Sequence, residues 1–300
     1  MTAKILWELG EIYTAPLNLF LILLGMAYSS FHYGLFFSWR VLLFTLTLLF
    51  IHIAVNIFNN YMDYKNAKDP IYRQKTNIIG RENLSLTTVR NSFFIFLGCS
   101  FLSGLLLSYY SDLYVLLLGI IGYYVGLGYS YGKHPINSLP IAELVPAILS
   151  GFMIPMMSAY LVSYDSVTLD GFFLWNSFLA FFPMILCMFN NLLANNTCDL
   201  EEDIRNGRKT LVYYLGKKRS VLLLHLSTAT IFIWIISEVF LKNDPWPVLF
   251  LLLFLPFILP KLKLYFTTQE KRITFPLVLK SMSLLMVGYP IFYFIGTLFS

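Results

Sequence analysis

Asn56, Asn60 and Asp63 recur at i, i+4 and i+7, and Asn191, Asn195, Asp199 and Asp203 recur every four residues. On a helix, each set lines one face. Asp and Asn oxygens are the ligands that hard divalent cations prefer, and Mg²⁺ typically takes one or two carboxylates together with substrate phosphates. Basic residues follow both sets: Arg73, Lys75 and Arg81 after the first, and Arg205, Arg208 and Lys209 after the second. Carboxylates that hold Mg²⁺, ringed by guanidinium and ammonium groups, make a diphosphate site. The metal bridges acid to phosphate, while the cations neutralise charge that develops on a departing diphosphate.

The elements that must position these residues are membrane spans. The chain is 58% hydrophobic, 18% aromatic and only 12% charged, with a mean hydropathy of +0.69. Globular chains carry about 25% charged residues, so a water-soluble domain is excluded and no nucleic-acid partner is expected. Nor does the start of the chain read as a cleavable signal peptide, since it lacks a basic opening and a small-residue cleavage site. About 20 apolar residues cross a bilayer as a helix. Runs of that kind fall near 15–32, 40–61, 91–110, 112–130, 141–161, 172–196, 219–240, 246–264 and 275–298. The expected fold is therefore an all-α integral membrane protein of nine transmembrane helices, forming a single polytopic domain over residues 1–300.

Orientation follows from the positive-inside rule. With the N-terminus cytoplasmic and the C-terminus outside, only Arg40 and Lys242 of the 21 Lys and Arg residues fall on the outer side. The location expected is the cytoplasmic (inner) membrane. Both acidic segments, NNYMDYKNAKD at 59–69 and NNLLANNTCDLEED at 190–203, then end spans that emerge on the cytoplasmic face. The greasy interior behind them suits a long isoprenoid chain on the diphosphate.

Other charges read as solvated loop residues: Lys217, Lys218, Arg219, Lys261, Lys263, Lys271 and Arg272. Asp69, Lys68 and Glu201 stand between the two classes. The histidines share no spacing. Cys99, Cys187 and Cys198 offer no disulfide or zinc pattern. A cation transporter would place ionisable groups near mid-membrane, whereas both acid clusters here lie at span ends. A non-catalytic quinone or lipid binder is the other rival.

The motifs themselves resemble a family. NIFNNYMDYKNAKD (56–69) is similar to the first aspartate-rich motif of the UbiA-type membrane prenyltransferases. NNTCDLEEDIRNGRKTLVYYLG (195–216) resembles their second motif in the form of the 1,4-dihydroxy-2-naphthoate branch, and YSYGKHPINSLPIAELVPAILSG (129–151) also resembles that branch. The resemblance implies nine helices around a central cavity with cytoplasmic cap loops. It implies Mg²⁺-dependent transfer of a polyprenyl group from its diphosphate to an aromatic acceptor. Asn59, Asn60, Asp63 and Asp69 would then form one metal site, and Asp199, Glu201 and Asp203 the other, with Asn195 and Asn196 alongside. Asp63, Asp199 and Asp203 carry the catalytic roles. Arg73, Lys75, Arg208 and Lys209 would hold the diphosphate, and Asn56, Arg81, Tyr131 and Lys133 join them as candidate substrate contacts. Three positions depart from the family pattern: Asn60 stands where Asp is usual, Cys198 where the naphthoate branch often has Arg, and YTAPLNLF lacks an Arg-Pro pair.

The chemistry implied is electrophilic aromatic substitution. Aromatic faces attract positive charge, which makes Tyr123, Tyr124, Tyr129 and Tyr131 candidates to shield an allylic cation. Glu143 and the GKHPINSLP loop incline the acceptor toward the dihydroxynaphthoate rather than 4-hydroxybenzoate, haem or another phenol. The long 62–90 connection is a candidate lid.

Overall fold

The computed structural model describes residues 2–67 and 69–299; Lys68 lies outside them. Every regular element among the described residues is helical. The chain forms two compact units, Met1–Asn18 with Trp39–Asn137, and Leu19–Ser38 with Ser138–Ser300.

The first unit begins with α1 (Ala3–Leu9) and continues through α3 (Trp39–Asn66), α4 (Ile78–Arg81), α5 (Leu86–Tyr109) and α6 (Leu113–Gly128). α3 packs along α5. Hydroxyls knit that seam, Thr47 Oγ1 donating to Ser103 Oγ at 2.9 Å and Ser100 Oγ to the Thr47 carbonyl at 2.9 Å. Such bonds hold helices together where lipid offers no hydrophobic drive. Leu9, Ala54, Ile57, Ile78, Ile79, Val89 and Phe93 form the core at one end. The opposite face of α5 leaves Phe94, Ile95, Phe101 and Leu102 exposed, as a lipid-facing helix does.

The second unit holds α2 (Pro16–Tyr33) from Leu19 onward, α7 (Leu144–Ile148), α8 (Ile154–Val162), α9 (Gly171–Asn206), α10 (Leu211–Phe240), α11 (Leu255–Thr267) and α12 (Phe275–Gly296). A wide five-residue turn, Leu149–Met153, joins α7 to α8. Pro155, which has no N–H to donate four residues back, sits just beyond it. Gly151 in this turn is indispensable for packing: a Cβ there would run into the backbone of Ile185 on α9. Inside the unit, Asn190 Nδ2 donates to Thr228 Oγ1 at 3.2 Å and Ser227 Oγ donates to Asn190 Oδ1, fastening α9 to α10.

Among the described residues, eight helices are long and apolar enough to cross a membrane. The ninth expected span, 112–130, is realised as α6, an apolar helix of 16 residues. At 1.5 Å per residue it reaches about 24 Å, short of a bilayer core of about 30 Å. Asp112 starts it late, capping the Val115 amide at 3.0 Å.

Candidate active site

Both helices that carry the acidic segments outrun the bilayer. α3 has 28 residues and α9 has 36, about 42 and 54 Å, so each projects well past a hydrocarbon core of about 30 Å. Their surplus turns carry the two acidic segments. α9 stays helical through Asn206 because Thr197 returns its hydroxyl to the Leu193 carbonyl at 2.6 Å and Asn195 and Asn196 find partners outside the backbone. It stops at Gly207, whose φ of 80° is natural only for glycine.

In the first segment the asparagines divide their labour. Asn60 Nδ2 donates to the carbonyls of Leu9 at 3.2 Å and Asn56 at 3.1 Å. An aspartate could not make either bond, which gives Asn60 a physical reason for departing from the family pattern. Asn56 Nδ2 donates to the His52 carbonyl at 3.0 Å and lies 3.2 Å from His52 Nε2. Asn59 differs: its Oδ1 is buried with no hydrogen-bond partner. Asp69 is exposed and its Oδ1 accepts from the Ile71 amide at 2.8 Å, opening the turn that carries Arg73 and Lys75. The Arg73 guanidinium lies 4.8 Å from the Tyr64 ring centroid, and Lys75 is exposed. Arg81 is held between Glu8 and Glu82, tying α1 to α4. Glu11, a residue singled out by nothing in the sequence, adopts a left-handed φ of 46°. Its own burial, with the charge of Asp63 adding, pushes its carboxyl above the ordinary range.

In the second segment Asp199, Glu201 and Asp203 are each met by a cation. Arg208 Nη1 lies 3.6 Å from Asp203 Oδ1, and Asp203 is buried. The turn at Gly207 brings it there, with the Arg208 amide donating to the Asp203 carbonyl at 2.9 Å. Lys209 follows, its amide donating to the Ser138 carbonyl at 3.0 Å. Lys217 Nζ reaches Glu201 at 2.7 Å just past Gly216, where φ is 74° and α10 kinks. Lys271 bonds to both Asn195 and Asp199. Asn195 Nδ2 also donates to Asp199 Oδ2 at 3.3 Å. Asn191, on the same stripe, has a buried Oδ1 without a partner.

Glu143 anchors this constellation. It is fully buried, and its Oε1 accepts from Asn196 Nδ2 at 2.8 Å while Oε2 accepts from the Leu211 amide at 3.3 Å. Burial pushes its carboxyl up, and those same bonds pull against the shift. Glu143→Gln turns one acceptor into a donor facing an N–H. The substitution is expected to cost about 1–3 kcal/mol and to reduce turnover about tenfold or more, as loss of a residue that orients a ligand does. Thermal melting and turnover measured on one preparation check it; no change in either would remove Glu143 from the site.

Of the remaining candidates, Tyr131 and Lys133 are exposed, with Tyr131 6.0 Å from the Phe58 ring. The Tyr123 hydroxyl pairs with Ser100 Oγ at 2.6 Å, and Tyr124 is 76% exposed. Arg205 is exposed as well. Lys271 and Lys217, which read as solvated loop lysines, are instead the partners of Asp199 and Glu201. His52 had a visible signal, standing four residues before Asn56; it lies 3.1 Å from Thr14 Oγ1 and 3.2 Å from Asn18 Nδ2.

Among the described residues no three His, Cys, Asp or Glu side chains gather as a ready metal cage. The donors present nonetheless fit Mg²⁺, which keeps water and phosphate in its shell and needs only one or two carboxylates. They are hard oxygens, and the buried Asn59 Oδ1 and Asn191 Oδ1 remain unpartnered.

An all-helical membrane chain with two asparagine–aspartate segments on projecting helices defines an intramembrane prenyltransferase. Residues 18–286 match the model of the UbiA prenyltransferase family, and the chain belongs to that family. It is 30% identical over 250 residues to a 1,4-dihydroxy-2-naphthoate octaprenyltransferase of Bacillus subtilis (strain 168), covering 81% of this chain and 76% of that protein. A protein of the same name from Haemophilus influenzae is 25% identical, covering 71% of this chain and 70% of its own. Among solved structures, the apo form of a UbiA homolog from Aeropyrum pernix K1 matches with a TM-score of 0.68 at 18% identity, covering 96% of this chain and 98% of that one. A UbiA homolog from Archaeoglobus fulgidus bound to DMAPP and Mg²⁺ matches with a TM-score of 0.60 at 13% identity, covering 97% and 98%. These likenesses establish the fold.

Proposed function

We propose that this enzyme transfers a polyprenyl group from its diphosphate to 1,4-dihydroxy-2-naphthoate, with loss of CO₂, to give the reduced, hydroquinone form of demethylmenaquinone. The observation that carries the reading is the second segment: Asp199 and Asp203 one turn apart on α9, with Arg208 and Lys209 following directly. The naphthoate acceptor is supported by the octaprenyltransferase relatives.

Mg²⁺, when bound, supplies Lewis-acid polarisation of the diphosphate and neutralises its charge. Asn59, Asn60, Asp63 and Asp69 would hold one ion, and Asp199, Glu201 and Asp203 the other. Arg73, Lys75, Arg208 and Lys209 hold diphosphate oxygens, so negative charge is met by fixed cations as the C1–O bond breaks. The diphosphate leaves with the electron pair. The acceptor ring carbon that bears the carboxylate forms the new bond to C1, and the carboxylate departs from that carbon as CO₂, its bonding electrons restoring the ring. The 62–90 connection, which carries the wide helical turn Tyr72–Thr76 and the short α4 between the end of α3 and the start of α5, would exclude water from the allylic centre. The Lys and Arg distribution supports cytoplasmic placement of both segments in the inner membrane, with the C-terminus outside.

The test is direct. Purified protein with Mg²⁺, radiolabelled geranyl or farnesyl diphosphate and a panel of aromatic acids should prenylate the dihydroxynaphthoate and release CO₂ stoichiometrically. Prenylation of 4-hydroxybenzoate alone would replace the acceptor. No product with any acceptor from folded protein would overturn the reading.

A further inference from the structure

Lys271 lies between α11 and α12, its Nζ 5.1 Å from the ring centroid of Phe275. It reaches 72 residues back along the chain to α9. There it donates to Asn195 Oδ1 at 2.6 Å and to Asp199 Oδ2, the oxygen that also accepts from Asn195 Nδ2 at 3.3 Å. The three side chains close a triangle. An ammonium has three donors and no acceptor, so it grips the two oxygens that a hard cation arriving at this segment would take first. Two cations cannot share those lone pairs at contact distance, because like charges repel. Neighbouring carboxylates already have partners of their own, Glu201 with Lys217 and Asp203 with Arg208. Lys271 must therefore yield Asn195 and Asp199 to such a cation. Its side chain is 44% exposed and hangs from a flexible four-carbon stem, so it can swing off α9, and the face of Phe275 remains beside it to receive the charge.

We propose that Lys271 is a displaceable counter-cation: it holds Asn195 and Asp199 in register before metal binds, releases them to the divalent ion, and moves its ammonium onto the diphosphate. The proposal rests on the diphosphate reading above. It makes Lys271 a positioning residue in the metal-free enzyme and a diphosphate contact in the loaded one.

The experiment compares Mn²⁺ binding, by electron paramagnetic resonance without substrate, in the full-length protein and in Lys271→Gln, Lys271→Arg and Arg272→Gln. Arg272 is the adjacent exposed cation and reports the general field of a lost charge. Removing a partly exposed ion pair frees the equivalent of a few-fold in affinity. Lys271→Gln should therefore bind Mn²⁺ about fivefold tighter, while Arg272→Gln and Lys271→Arg stay within about twofold of the parent. With metal present, Lys271→Gln should bind a non-hydrolysable prenyl diphosphate analogue about tenfold more weakly. An unchanged or weaker Mn²⁺ affinity in Lys271→Gln, or an equal gain in Arg272→Gln, overturns the exchange while leaving the enzyme reading intact. A parent protein that binds neither Mn²⁺ nor the analogue removes both.

Discussion

Asp199→Asn is expected to lower turnover by on the order of 10²–10³, the loss typical when one preorganised charge-stabilising group is removed, with less than about 1 kcal/mol of stability lost. The asymmetry has a structural origin. Asp199 pairs with Lys271, and the two side chains are 22% and 44% exposed, so the pair is well screened by water and contributes little to folding. Asparagine keeps the volume and can still accept from Asn195. What it lacks is one of the negative charges with which Asp199, Glu201 and Asp203 would together hold a divalent ion beside the diphosphate. Turnover at saturating Mg²⁺ and a melting curve on the same sample distinguish the roles. A variant that unfolds, or one that keeps full activity, would make Asp199 a structural partner of Lys271.

The apolar runs that became α3, α5, α9, α10 and α12 were legible because span length and hydropathy are local properties. The Asn191–Asp203 stripe was legible for the same reason, since helical periodicity alone puts four-residue repeats on one face. The end of α9 was not. The apolar span ends near 196, and helix persists through the polar run 197–206 because Thr197, Asn195 and Asn196 all find partners. Those partners are distant in sequence: Glu143 meets Asn196 from 53 residues away, and Lys271 meets Asp199 from 72. No spacing rule reaches that far in a single sequence. Asn60 was legible as a site residue, but its donation to the Leu9 carbonyl required knowing that α1 folds back onto α3. The shortness of α6 was likewise hidden in a capping bond rather than in composition.

Far along α9 from its acidic segment, the second unit contains a buried carboxyl that the proposed chemistry does not use. Asp244 is 3% exposed. Its Oδ2 accepts from the Tyr289 hydroxyl at 2.6 Å, and that hydroxyl also donates to the carbonyl of Ala180, 19 residues before Asp199 on α9 and so about 28 Å away along it. Asp244 Oδ1 has no partner, and neither does the buried Tyr28 hydroxyl. Glu238, 4% exposed, accepts from Asn243 at 3.0 Å, Tyr293 stands beside Tyr289, and His32 lies 3.4 Å from the Tyr293 hydroxyl. Burial raises the Asp244 carboxyl from 3.8 to about 7, opposed by the bonds from Tyr289 and Tyr293 and assisted by the charge of Glu238. Between those two values the folded chain holds a proton there that the unfolded chain has already lost. Stability must then fall as pH rises from about 4 to about 7, by at most about 1.4 kcal/mol per pH unit, and level off above. Asp244→Asn removes that titration while keeping an acceptor for Tyr289. The melting temperature of the parent minus that of the variant is therefore expected to decrease steadily from pH 5 to pH 7 and flatten by pH 8. Taking the difference cancels every other carboxylate, including Asp170, whose helix-capping bond to the Phe173 amide lowers its own carboxyl and gives the opposite slope. A difference that stays level or climbs across that window would mean that Asp244 is ionised in the fold.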